Sequence, residues 1–161
     1  MIQLETSALL ASLAEYKAKL RLQLEAAVRK FSYLISNEAI NNTPLGDANY
    51  YRSSYEQRQK TSGLQPIEGY ARGSWQVSST GAFRNQELYS YQSGDQAAAL
   101  IKSDLLDYRL GQDVYIGNNA YYIKALENNH SLQTSGLGIM APTMDKVMQI
   151  YSVSMQDLLK V

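Results

Sequence analysis

The chain has 161 residues, 45% of them hydrophobic and 19% charged, with 15 basic residues balanced by 15 acidic ones and no cysteine. That length suits one domain with a core of its own, and the composition is that of a globular chain rather than a disordered one. Zero net charge removes the usual electrostatic warrant for a sequence-independent grip on nucleic acid, and the missing cysteines exclude disulfides, thiol nucleophiles and thiolate metal sites.

The first twenty residues lack a basic stretch followed by an apolar core, and no run approaches the ~20 continuous apolar residues of a membrane span. The chain is therefore expected to be made as a soluble cytoplasmic protein. Over residues 2–38, Leu9, Leu13, Tyr16, Leu20, Leu24, Val28, Phe31 and Ile35 recur at spacings of three and four with no Gly or Pro between them, which predicts one long helix. Unbroken, it would measure about 55 Å at 1.5 Å per residue, whereas a compact domain of this size has a radius of gyration of about 15 Å. Either the helix kinks or one end projects. Its apolar stripe faces the core on the first alternative and a neighbouring subunit on the second, with Leu13 and Leu20 at its centre.

Residues 41–74 change character. Pro44, Gly46, Gly63, Pro66, Gly69 and Gly73 punctuate a polar run, which predicts mostly loop. Connections of that length tend to be functional, and Tyr50, Tyr51 and Tyr55 form a candidate contact surface, since tyrosine buries much area with few rotors to fix. A locally packed loop is the competing reading. Trp75–Ser79 alternates apolar and polar residues and pairs, on this reading, with a second strand over residues 88–91. A helix is expected from about residue 94 to Gly111, a strand over residues 113–117, a turn at Asn118 and Asn119, a short helix over residues 121–128, and a last helix starting at Pro142. The expected fold is α+β: a long N-terminal helix, a small, mainly antiparallel sheet, short helices and a C-terminal helix, in one domain over residues 1–161.

No catalytic constellation emerges. The single histidine, His130, has no metal-ligand partners at suitable spacing, and there is no Gly-x-Ser-x-Gly elbow, no phosphate loop and no third glycine after Gly136-Leu137-Gly138. Pairs such as Glu127 with Asp145 or Asp104 with Asp107 read as solvated surface. The expectation is a protein that is not an enzyme and takes no cofactor or metal.

Two stretches carry a more specific signal. Thr43-Pro44-Leu45-Gly46-Asp47 and Gly69-Tyr70-Ala71-Arg72-Gly73-Ser74-Trp75 resemble the front and back of a segment, Thr-Pro-apolar-Asp-Thr-Gly leading into Arg-x-Ser-Trp, that is common in the tail-completion family of long-tailed bacteriophages. Residues 48–68 would be an insertion in it. Leu110 to Ile123, including Asn118, Asn119 and Tyr121, then Glu127, Ser131 and Gln133, are similar to that family's Leu-Gly-x-x-apolar-Tyr-Ile-x-Asn-Asn, Tyr-x-x-x-apolar-Glu and Ser-x-Gln run. In that run Glu127 is expected to anchor backbone donors.

The resemblance implies a structural virion protein, a tail terminator or tail-completion subunit. Its copies would assemble into a closed, hexameric ring at the head-proximal end of the tail. The implied partners are the chain itself, the tail tube protein and the head-completion or connector proteins, with no membrane, and with DNA met only as it passes through the lumen. Arg72, Trp75, Asn118, Asn119, Tyr121, Glu127, Ser131 and Gln133 would be scaffold in such a subunit. Two other classes stay open: a monomeric protein-binding adaptor using the tyrosine-bearing loop, and a hydrolase with an unrecognised site.

Overall fold

The computed structural model describes residues 6–45, 69–84, 94–120, 122–128 and 136–158, with residues 153–158 as backbone alone. The elements are α1 (Thr6–Asn42), α2 (Tyr70–Gly73), β1 (Trp75–Ser78), α3 (Asp95–Leu106), β2 (Tyr115–Asn118), α4 (Ile123–Glu127) and α5 (Met140–Leu158). The class is α+β, as the alternation of patterns predicts.

α1 is one helix of 37 residues. Nothing inside it interrupts the backbone ladder, and it stops where Pro44 disfavours helical geometry at Thr43. The Thr43 hydroxyl then folds back, donating to the Ala39 carbonyl at 2.6 Å. α5 lies antiparallel along the C-terminal part of α1. Asn42 Nδ2 donates to Thr143 Oγ1 at 2.9 Å, Lys146 Nζ is 2.6 Å from Glu38 Oε2, and the Phe31 and Tyr151 rings meet edge to face with centroids 5.0 Å apart. α3 packs on another side of α1 and also on β1.

β1 and β2 form an antiparallel pair in the register Trp75↔Asn118, Gln76↔Gly117, Val77↔Ile116 and Ser78↔Tyr115. The partner expected for β1, residues 88–91, lies outside the described residues; the strand that Trp75–Ser78 pairs with among the described residues comes some forty positions later in the chain. Asn118 is accordingly the last residue of a strand rather than part of a turn.

The loop expected over residues 41–74 is also shorter at both ends, since α1 reaches Asn42 and α2 makes a helical turn at Tyr70–Gly73. α3 ends at Leu106, before Gly111. α5 starts two residues before Pro142, which sits in the first turn, where its missing N–H has no intrahelical partner to lose.

The core gathers Ala39, Ile40, Trp75, Val77, Ile101 and Leu105, with Leu126 and Ile139 closing it. Gly94 explains how α3 approaches so closely. Its φ is 76°, and a Cβ there would run into Ile40 Cγ2 and Arg72 Cγ. The backbone passes where a side chain has no room.

Candidate functional site

Among the residues singled out in the sequence, one group sits at buried junctions. Thr43 is the hub of the first. Its side-chain oxygen accepts the indole N–H of Trp75 at 2.8 Å, and its carbonyl accepts Arg72 Nε at 2.9 Å and a terminal Arg72 nitrogen at 2.7 Å. Arg72 thus brings a cation and two donors to the C-terminal end of α1, whose last turn has no basic residue of its own. Exposed carbonyls and the negative end of the helix dipole favour a cation there. Burial lowers the Arg72 pKa, but the guanidinium stays charged.

Asn118 and Asn119 tie the end of β2 to α2 and β1. Asn118 Nδ2 donates to the Ala71 carbonyl at 2.6 Å while its Oδ1 accepts the Ala120 amide at 2.8 Å. The Asn119 amide donates to the Ser74 carbonyl at 3.3 Å, and its side chain reaches the Arg84 carbonyl at 2.8 Å. Gln76, buried on the strand, brackets the backbone of Arg84 from the other side, as acceptor at 2.8 Å and donor at 3.0 Å.

Glu127 anchors the start of α5. One carboxylate oxygen accepts the Ile139 amide at 2.9 Å, and both lie 3.2 Å from the Met140 amide. A negative charge on these unpaired N–H groups sits where the helix dipole favours it. Gly138, with φ 71°, lets the chain pass beneath, because a Cβ there would meet the Glu127 carbonyl oxygen at 2.5 Å. Tyr121, Ser131, Gln133 and His130 lie outside the described residues, as do Tyr50, Tyr51 and Tyr55.

Leu13 and Leu20 belong to a different environment. Every residue of α1 from Thr6 to Leu24 is exposed, and burial begins at Glu25. Leu13 is 54% exposed, Leu20 41% and Leu24 44%, with Leu9 and Tyr16 open beside them. The boundary has a structural cause. The loop after α3 meets α1 at two points, where Arg29 donates to the Tyr108 carbonyl at 2.8 Å and Glu25 Oε1 accepts the Leu110 amide at 3.0 Å. On the other side, the antiparallel match of Thr143 to Asn42 and Tyr151 to Phe31 brings the end of α5 about level with Glu25. Beyond that level, no described part of the chain covers α1.

At 100° per residue, Leu9, Leu13, Tyr16, Leu20 and Leu24 fall on the same side of α1 as Phe31, Glu38 and Asn42. The stripe is thus the continuation of the face that α5 covers. The periodicity was visible in the sequence. Which part of it faces the core was not, because the buried positions of α1 are Glu25, Ser32, Ser36, Glu38, Ala39 and two isoleucines.

A depression of about 270 Å³ lies between β1 and α3, lined by Val77, Ser78, Arg84, Asp104, Leu105 and Tyr108 among others. Arg84 and Asp104 form an ion pair in it. It holds no hydroxyl, thiol or imidazole paired with a base, and no group of three or more potential metal ligands occurs among the described residues. No described helix is long and apolar enough to cross a membrane. The chain matches no family model, no curated protein and no solved structure.

Proposed function

We propose that this chain is a non-catalytic assembly subunit of a virion, of the tail-completion or tail-terminator kind. Its copies form a closed ring, hexameric on the family pattern, at the head-proximal end of a phage tail, between the tail tube protein and the head connector. It needs no cofactor, and DNA meets it only in the lumen.

The observation that carries the assembly half of this reading is the uncovered stripe on the N-terminal half of α1. Nineteen consecutive exposed positions, from Thr6 to Leu24, include six leucines and a tyrosine. Apolar surface concentrated in this way on a projecting element marks an interaction site rather than ordinary surface. The tail half rests on the resemblance. What supports it is that Arg72, Trp75, Asn118 and Glu127 each hold a junction between elements, the work expected of signature residues in a scaffold.

The test is genetic and visual. Disrupting this gene in a phage that encodes it is expected to leave filled heads and unattached tails. Overlong tails identify a terminator, and tails of normal length a completion protein. Joined, infectious particles made without the protein would overturn the proposal.

A further inference from the structure

The geometry points to a second copy of this chain as the occupant of the exposed stripe of α1. The two projecting helices would pack antiparallel about a twofold axis, with Leu9 against Leu20 of the second copy and Leu13 against its Tyr16.

The argument begins with what α5 leaves undone. It covers one face of α1 as an antiparallel helix and ends about level with Glu25, while the same face continues apolar down to Leu9. The vacant position is that of another antiparallel helix, end to end with α5. Leu9, Leu13, Tyr16 and Leu20 follow the alternating three-four spacing of a two-helix seam. In an antiparallel pair each a position meets a d position, and the register that achieves this pairs residues whose numbers sum to 29.

That register also fits the bodies. Thr6 of the second copy comes level with Gln23, just short of the level where α5 and the loop after α3 meet α1. The second body, which begins at its own Glu25, falls beyond the far tip. Over the described residues, each helix therefore fills the gap between the two bodies without either body entering the other's space. In a parallel pair both bodies would crowd the same end.

The register limits the cost of like charge. The arm carries Glu15, Lys17, Lys19 and Arg21, so it is net positive and two arms repel at a distance. In the proposed register Lys17 flanks Leu10 of the second copy and Lys19 flanks its Ser12, so no lysines face each other, and their alkyl stems lie along the seam. The overlap of residues 6–23 is roughly 27 Å of paired helix. Such a pair hides on the order of 500 Å² per copy, about 1,000 Å² in all, which is the lower bound for a biological interface and suits a weak, reversible pairing.

A twofold contact saturates at two copies, whereas a ring of six needs a head-to-tail contact. The pairing is therefore a contact of the free protein, distinct from the one that closes a ring, and it does not rest on the tail reading.

Light scattering on the full chain at micromolar concentration, without tails present, is expected to give the mass of two copies. Leu13→Lys with Leu20→Lys, both at exposed positions, is expected to weaken pairing by at least roughly tenfold, while the circular dichroism and Trp75 fluorescence of the body stay unchanged. The absence of native cysteine permits a check of register. A mixture of Leu13→Cys and Tyr16→Cys chains should cross-link mainly with each other.

A monomeric wild type, pairing that survives the double lysine variant, or cross-linking of each cysteine variant mainly with itself would each overturn the inference. Failure of the ring reading has a different signature: phage lacking the protein would still join heads to tails, whatever the mass of the free chain.

Discussion

The indole N–H of Trp75 points at the hydroxyl of Thr43, 2.8 Å away, and that hydroxyl in turn donates to the Ala39 carbonyl. The first strand and the end of the long helix are thus joined by one buried oxygen. Thr43→Val keeps the shape and the backbone carbonyl that Arg72 grips, but leaves the indole without an acceptor. A buried donor stripped of its partner costs about 1–3 kcal/mol. Urea unfolding followed by the fluorescence of Trp75, the only tryptophan in the chain, should show the midpoint falling by that free energy divided by the slope, with the slope itself unchanged.

Glu127 does for α5 what an N-capping side chain does from within a helix, although it comes from the preceding helix. Glu127→Ala should cost about 1–2 kcal/mol, at the upper end for caps because the acceptor is charged. Glu127→Gln keeps one acceptor oxygen and should lose less. Gly138→Ala is expected to be worse than Glu127→Gln, since it combines an unfavourable φ with a close approach to the Glu127 carbonyl. Thermal unfolding of the three variants would rank them, and a Gly138→Ala protein as stable as wild type would contradict the close packing seen here.

Acid should act through Glu25. The Leu110 amide is the main cause holding its carboxyl below the usual range. Burial opposes this by pushing the value up, and the Arg21 hydrogen bond and the charges of Arg21 and Arg109 add to the lowering. Because the folded value lies below the unfolded one, the stabilisation is fully present above the unfolded value of about 4.3 and is lost as pH falls through the folded value. Glu25→Gln should therefore be less stable than wild type at neutral pH, and the gap should close in acid. Urea midpoints at a series of pH values would reveal a persistent gap if the carboxylate were not responsible.

Amide exchange should divide α1 in two. In dilute protein the amides around Leu9 to Leu20 have only the helix's own ladder to protect them, and a free helix of this length is marginal in water. Those around Ile35 to Ile40 sit in the core and should exchange orders of magnitude more slowly. Raising the concentration should slow exchange in the first group alone, and a uniform rate along α1 at all concentrations would argue against a separate, partner-dependent arm.

The length and position of α1 were legible in the spacing of its leucines, whereas comparing 55 Å with the size of the body left a kink and a projecting end equally open. Its buried face was not legible. Ser32, Ser36 and Ala39 are buried because small side chains let neighbouring elements come close, and a pattern that searches for large apolar residues passes over them. The sheet was legible in part: each strand shows in its own residues, but the pairing of Trp75–Ser78 with Tyr115–Asn118 spans some forty positions, and no local pattern reveals it. Glu127 was legible as an anchor because a lone carboxylate before a glycine-rich turn and a helix has amides within reach. The hub at Thr43 was not, since nothing in Thr43-Pro44 shows that an indole thirty-two residues away needs an acceptor.

The absence of any break in α1 has a mechanical consequence. The segment that carries Ile40 in the core and the segment that carries Leu13 in solvent are one rod, so whatever seizes the tip also sets the tilt of the body. With an arm of roughly 28 Å, a turn of about five degrees at Glu25 swings the tip by about 2.5 Å, half a helical turn. A glycine pair placed at Ala26 and Ala27 would uncouple the two, leaving the grip intact while freeing the angle at which each body is held.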